Sequence, residues 1–361
     1  MAERNVIGWD IGGAHVKACV LQRGRVVDVA QWACPLWQGL DHLERALQSA
    51  AERWPGSRHA QHAVTMTGEM VDLFEHREEG VQRIAALLGE RLSTASHVHF
   101  FAGDAGWCNG DRVAALWEQI ASANWLATAQ HAAHELGDGL LVDIGSTTTD
   151  IIAFKEGRVA TAARSDVQRL ATGELVYQGV VRTPLCALAH QIRWQGKPLN
   201  VMNEYFATVA DVYRLTGELN AAHDLYPSAD NAPKDEAATR KRLARMIGMD
   251  ARDAAAGDWL AFAQAWRAAQ VEELAGQLRR VVALHALSPH AAVVSAGCGD
   301  FLVADVLTQA DGGKTQHPLR TYGRELVRTD PEAAGATDVA AWAQVCAPSV
   351  AVAMLLDMGL R

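Results

Sequence analysis

The sequence predicts an α/β protein of two lobes, with duplicated mixed-sheet domains around a central cleft. Three observations predict it. One strand-turn-strand pattern occurs twice, over residues 6–26 and 140–159. Between and after the copies, short β-branched runs alternate with stretches of helical apolar spacing, as layered α/β units require. The chain is also 361 residues long and 49% hydrophobic, more than a single core usually holds.

The repeat carries the most information. Placing Asp10 on Asp143 brings Ile11-Gly12 onto Ile144-Gly145, and Gly24-Arg25-Val26 onto Gly157-Arg158-Val159, without a gap. Lys17 then falls on Asp150. Each copy reads as a β-hairpin: an apolar run ends in Asp, a glycine turn follows, and a second apolar run leads to Gly-Arg-Val. Glycine allows positive φ and lets backbone N–H groups approach a ligand closely. Successive N–H groups in such a turn form an anion-binding nest. An aspartate at the end of the preceding strand suits a Mg²⁺ ion carried by a phosphate.

The remaining elements follow in chain order. Residues 40–53 have helical spacing before Pro55-Gly56, 63–69 read as a strand entering a turn, and 80–92 as an amphipathic helix. Residues 98–101 are strand-like, and 117–134 read as one helix. The Gly137-Asp138-Gly139 break sets the lobe boundary. The first lobe is 1–137, with a final helix 339–358 packing back on it. The second is 138–338, with a helical insertion at about 200–287. That lobe starts with strands near 159–163 and 173–177. Helices follow at 203–219, 236–246 and 259–287, with a polar loop at 225–234. A strand at 291–296 then enters the turn Gly297-Cys298-Gly299.

Candidate site residues cluster at the turns. Gly12, Gly13, Gly145, Ser146, Thr147 and Thr148 are expected to bind phosphate oxygens through amides and hydroxyls, with Asp10 and Asp150 holding the metal. Gly297 and Gly299 form either a third ligand turn or a tight strand-to-helix turn. Lys17 is a charge partner for phosphate or a solvated strand lysine. Glu69, ending a strand at Thr67-Gly68-Glu69, is a general base, a metal ligand or an ordinary turn carboxylate. Asp143, Asp230 and Lys234 are weaker candidates, the last two in a loop where charges are usually only solvated. The fingerprints G-x-G-x-x-G and G-x-x-x-x-G-K-[ST] are absent, which removes the Rossmann and P-loop readings. H-E-x-x-H and G-x-S-x-G are absent too.

A net charge of -9 with no basic cluster argues against nucleic acid and anionic membrane as partners. The opening Met1-Ala2-Glu3-Arg4 lacks a signal-peptide pattern, and six scattered cysteines without C-x-x-C suit reduced thiols, so a cytoplasmic location is expected. The composition leaves a homo-oligomer open.

Two D-I-G hairpins plus a late strand-glycine-helix element resemble the phosphate and adenosine motifs of the actin/sugar-kinase/heat-shock-protein (ASKHA) superfamily, which has a ribonuclease H-like fold. D-I-G-G-A-H-V-K, T-M-T-G-E-M-V-D and V-D-I-G-S-T-T-T-D resemble its hydantoinase A/oxoprolinase-related branch. The run G-E-L-V-Y-Q-G-V-V-R-T-P-L-C-A-L and the region 211–246 are similar to proteins of tetrahydromethanopterin-linked one-carbon transfer. That resemblance implies a transferase of methanofuran or methylofuran biosynthesis. It would join the phenol of a (glutamyl)tyramine to an aminomethylfuran-methyl diphosphate and release pyrophosphate, with Mg²⁺ as cofactor. An ATP-dependent kinase or hydantoinase-type amidohydrolase, and a nucleotide-binding scaffold without turnover, are the other readings.

Overall fold

The computed structural model describes residues 5–92, 97–314, 317–330 and 336–360. The four opening residues read for a signal peptide lie outside that set. The chain divides into two compact units. Unit 1 comprises Met1–Gly139, Phe154–Asp166 and Arg320–Arg361, and unit 2 comprises Leu140–Ala153 and Val167–Leu319.

Six strands make the first sheet: β1 (Asn5–Ile11), β2 (His15–Gln22), β3 (Arg25–Ala33), β4 (Gln61–Met66), β5 (Val98–Phe101) and β6 (Trp107–Cys108). Their order is β3-β2-β1-β4-β5-β6. β1 pairs antiparallel with β2 and parallel with β4, so the sheet is mixed. Alternation along β1 assigns its faces. Ile7, Trp9 and Ile11 pack into a core with Leu43, Leu47, Val81, Ile84 and Leu88 from the helices Asp41–Arg53 and Arg77–Arg91. On the opposite face the helix Ala347–Leu360 lies directly on the strand. A Cβ at Gly8 would come within 1.9 Å of the Ser349 carbonyl oxygen, and Cys19 Sγ donates to that oxygen at 3.4 Å.

The second sheet is built from β7 (Gly139–Ile144), β8 (Thr149–Lys155), β9 (Arg158–Val159), β10 (Leu175–Val176), β13 (Ala292–Ala296) and β14 (Leu319–Thr321). A separate hairpin joins β11 (Gln191–Trp194) to β12 (Lys197–Asn200). The order β10-β8-β7-β13-β14, with β9 paired to β8, repeats the first sheet. In both, the strand before the glycine turn is central, with its hairpin partner on one side and a much later strand on the other. The repeat extends to the hairpin tips. Arg23-Gly24 has φ of 53° and 73°, and Glu156-Gly157 has 52° and 72°. Both are two-residue turns of the kind that right-twisted hairpins favour. The architecture is thus the expected duplicated α/β fold with two mixed sheets.

Four elements differ from expectation. The helix expected over 117–134 is two, Trp117–Ile120 and Asn124–Leu136, broken at Ser122 with φ of 52°. The final helix is also two, Ala336–Val345 and Ala347–Leu360, bent by 96°. The helix expected from 203 begins at Val209, where the Asp211 carboxylate accepts the Thr208 amide at 3.1 Å, and ends at Gly217 in the left-handed region. The long helix is Ala256–Leu284, and Trp194, Trp259 and Phe262 form an aromatic stack against it. No single helix among the described residues is long and apolar enough to cross a membrane. All six cysteines are free, and burial pushes the Cys19 and Cys34 thiols up to about 12, far from reactive thiolates.

Candidate functional site

The first turn closes through one hydrogen bond, Gly12 N–H to the His15 carbonyl at 2.9 Å. The second closes the same way, Gly145 N–H to Thr148 at 2.8 Å. Positive φ is not what glycine supplies here, contrary to the expectation, since none of Gly12, Gly13 and Gly145 has φ in the left-handed region. Space is. A Cβ on Gly12 would sit 2.8 Å from the His15 oxygen, and one on Gly13 would sit 2.8 Å from Val71 Cγ1.

Asp10 is buried at the end of β1, level with Lys17 on β2 and Thr65 on β4. Thr65 Oγ1 is buried with no hydrogen-bond partner among the described residues. A carboxylate beside an unsatisfied hydroxyl is a hard oxygen donor set, which suits Mg²⁺. No group of three His, Cys, Asp or Glu side chains among the described residues is placed to hold a metal. The residues therefore fit an ion carried by a phosphate and held through one carboxylate and water, as Mg²⁺ commonly is. Lys17 is already engaged: its Nζ donates to the Val345 carbonyl at 3.1 Å, at the end of the helix Ala336–Val345.

Glu69 is 1% exposed, in a short turn of helix after β4. Ser122 Oγ donates to its Oε1 at 2.7 Å, while Oε2 is buried with no partner among the described residues. Burial holds its carboxyl above the usual range, offset in part by the Ser122 hydroxyl. A desolvated, partly satisfied carboxylate is a stronger base than an exposed one. Ser122 escaped sequence reasoning because it sits inside an apparently continuous helical pattern.

In unit 2 three segments meet at the second turn. Ser146, Thr147 and Thr148 are half-buried, and Ser146 Oγ lies 3.4 Å from Thr147 Oγ1. The backbone of residues 179–182 braces them: Val180 N–H donates to Gly145 O at 3.0 Å and Arg182 N–H to Ser146 O at 2.8 Å. A Cβ at Gly179 would lie 2.5 Å from Gly145 O, Ser146 C and Thr147 N, so only glycine fits. The third turn rests on the end of β7. Gly299 N–H donates to Ile144 O at 2.8 Å, and a Cβ on Gly297 would meet that oxygen at 2.2 Å and Asp143 Oδ1 at 2.5 Å. Thr67 N–H does the same for Ile11 O in unit 1, at 2.9 Å. The amides of Gly12, Gly145 and Gly299 are thus spent inside the protein.

Asp150 is ion-paired with Arg169, whose side chain is 4% exposed. Asp150 is therefore engaged within the fold, and a change at this position removes one side of a buried ion pair. Next to it, Glu174 is fully buried, accepting from Thr172 Oγ1 at 2.6 Å and paired with His285 Nε2 at 2.7 Å. Asp230 and Lys234 are not merely solvated loop charges. Arg242, fully buried, holds Asp211 at 2.7 Å and Asp230 at 3.1 Å, while Lys234 and Arg214 both hold Asp224. These pairs fasten the polar loop, so its charges have structural work.

The Hydantoinase/oxoprolinase family pattern matches residues 61–315. A Methanocaldococcus jannaschii protein is 28% identical over 327 residues, spanning 90% of this chain and 94% of its own. It is named a furan-methanamine synthase whose product carries a γ-L-glutamylaminoethyl-phenoxymethyl group. A Methanococcus vannielii synthase of the same name is 28% identical over 170 residues, or 47% of this chain and 75% of that protein. Among solved structures, nucleotide-free acetone carboxylase superposes with a TM-score of 0.54 at 10% identity, over 86% of this chain and 67% of that one. That likeness concerns the fold. With more than two-thirds of its length matched, the chain belongs to the hydantoinase/oxoprolinase family.

Proposed function

We propose that the chain is a transferase of methanofuran-type cofactor biosynthesis, supporting tetrahydromethanopterin-linked one-carbon metabolism. It joins the phenol oxygen of a (γ-glutamyl)tyramine to the methyl carbon of an aminomethylfuran-methyl diphosphate. The observation that carries this reading is the match across 94% of the Methanocaldococcus synthase. The half-buried hydroxyls of Ser146, Thr147 and Thr148 support it, because hydroxyl donors suit phosphate oxygens.

In this reading a new C–O bond forms between phenol and exocyclic CH₂ as the CH₂–O bond to diphosphate breaks, and the electron pair leaves on pyrophosphate. Each unit offers donors of its own for phosphate oxygens, Gly13 in unit 1 and Ser146, Thr147 and Thr148 in unit 2, since neighbouring amides are spent. Asp10, with Thr65, would hold the metal, and Asp150 keeps Arg169 in place. Mg²⁺, when bound, supplies charge neutralisation for the leaving group. Glu69 takes the phenol proton. A phenol has an unperturbed pKa of about 10, so a base raised by burial is better matched to it than an exposed carboxylate. Lys17 caps the Val345 carbonyl at the end of the helix Ala336–Val345.

Thermal shift with Mg²⁺ and one of pyrophosphate, ATP or ADP tests the ligand class. A ligand at 100 times its Kd stabilises by about 2.7 kcal/mol. Pyrophosphate is expected to raise the melting temperature. A response to ATP with none to pyrophosphate contradicts the reading and favours a kinase or ATP-coupled amidohydrolase.

A further inference from the structure

We infer that Ser122 positions Glu69 as the base, holding Oε1 so that Oε2 is left to receive the phenol proton. The inference rests on the transferase reading and deepens it, by naming a residue that acts through the base rather than on the substrate. Both residues belong to unit 1.

Glu69 stands where the strands end. β1 and β4 run parallel, and Thr67 N–H, just beyond β4, donates to Ile11 O at 2.9 Å. Ligands of open α/β sheets bind beyond the carboxyl ends of the strands. The helix Arg77–Arg91 fixes the Glu69 backbone: a Cβ on Gly80 would lie 2.6 Å from Glu69 O and 2.8 Å from its Cα, so the helix rests on it directly. Ser122 fixes the side chain, its Oγ donating to Oε1 at 2.7 Å. That hydroxyl also lies 3.7 Å from Met70 Sδ, a weak acceptor, so the carboxylate is its partner. Met70 is 52% exposed, which puts the carboxyl one residue along the chain from solvent.

What remains is Oε2, buried with no partner among the described residues. A carboxylate oxygen in that state costs free energy unless a donor reaches it. The phenol O–H is such a donor: its proton passes to Oε2, while the electron pair stays on the phenol oxygen and forms the new C–O bond. Ser122 itself is buried, between the helices Trp117–Ile120 and Asn124–Leu136. Its φ of 52° lies where non-glycine residues seldom stand, and residues held so cluster at functional sites. The charges acting on Glu69 are those of Asp166 and of Arg77, whose guanidinium lies 5.9 Å from the Trp117 ring. Burial raises the carboxyl, and the Ser122 hydroxyl is what most opposes it.

The purified full chain, with Mg²⁺, an aminomethylfuran-methyl diphosphate and γ-glutamyltyramine, gives kcat/KM against pH; urea midpoints over the same pH range read Glu69 apart from turnover. Glycine takes positive φ freely, so Ser122→Gly removes the hydroxyl and keeps the bend. Ser122→Thr keeps the hydroxyl but puts a β-branched side chain at positive φ. Without its donor the ionised carboxyl is less favoured. Ser122→Gly should therefore move the acid limb of the profile to higher pH by about one to two units, the size of a hydrogen bond to a charged group. Its urea midpoint should go on falling to correspondingly higher pH. Ser122→Thr should melt lower than wild type and retain the wild-type limb. Should Ser122→Gly lose activity by one factor at every pH, with the limb unmoved, the inference is overturned and the transferase reading stands. Wild type that forms no ether overturns both.

Discussion

Gly179 has no space for a methyl group, because the backbone of the second turn occupies it at 2.5 Å. Gly179→Ala should displace residues 145–147, lower stability by about 1–3 kcal/mol as overpacking does, and weaken pyrophosphate binding more than the stability loss explains; thermal melts with and without pyrophosphate check this. Glu69 gives a second prediction, set by proton linkage. Burial holds its folded pKa above the unfolded value, so between the two the native state binds more protons than the unfolded chain. Stability from this group is full below the ordinary carboxylate pKa and falls as pH rises through the raised one. Glu69→Gln should flatten that fall in urea titrations across the acid-to-neutral range. It should also depress turnover by about 10²- to 10⁴-fold if Glu69 is the general base.

The Asp150–Arg169 pair fastens the helix Asp166–Thr172 to β8. Breaking such a pair from one side costs about 3–5 kcal/mol. Asp150→Asn should lower the urea midpoint markedly, and Asp150→Asn with Arg169→Met should recover part of the loss. An unshifted midpoint in the single variant would show the pair to be idle. At this scale the sequence was legible where the determinants were local. The hairpin tips Arg23-Gly24 and Glu156-Gly157 followed from their dipeptides, and the helices Asp41–Arg53 and Arg77–Arg91 from apolar spacing. The break at Ser122 was not legible, because its partner is a carboxylate 53 residues away. Nor was the loop clamp, whose Arg242 and Asp211 are 31 residues apart. Gly12 and Gly13 were found for the wrong reason, since their neighbours and not their φ angles require them, whereas Gly297 does have a positive φ, of 85°.

Across the whole molecule, the same strand order and the same turn-closing hydrogen bond appear twice, so the repeat seen in the sequence is a repeat of fold. Duplication explains why single D-I-G segments are weak signals and paired ones are strong. It does not choose a chemistry, since one fold hosts many; the choice rests on the family match and on the match along nearly the whole Methanocaldococcus synthase. The direct test is turnover by the purified full chain with Mg²⁺, an aminomethylfuran-methyl diphosphate and γ-glutamyltyramine, with no nucleotide present. Mass spectrometry and pyrophosphate release are followed together. The account predicts ether product and pyrophosphate in equal amounts. Intact diphosphate and phenol, with ATP consumed only when it is added, would contradict it.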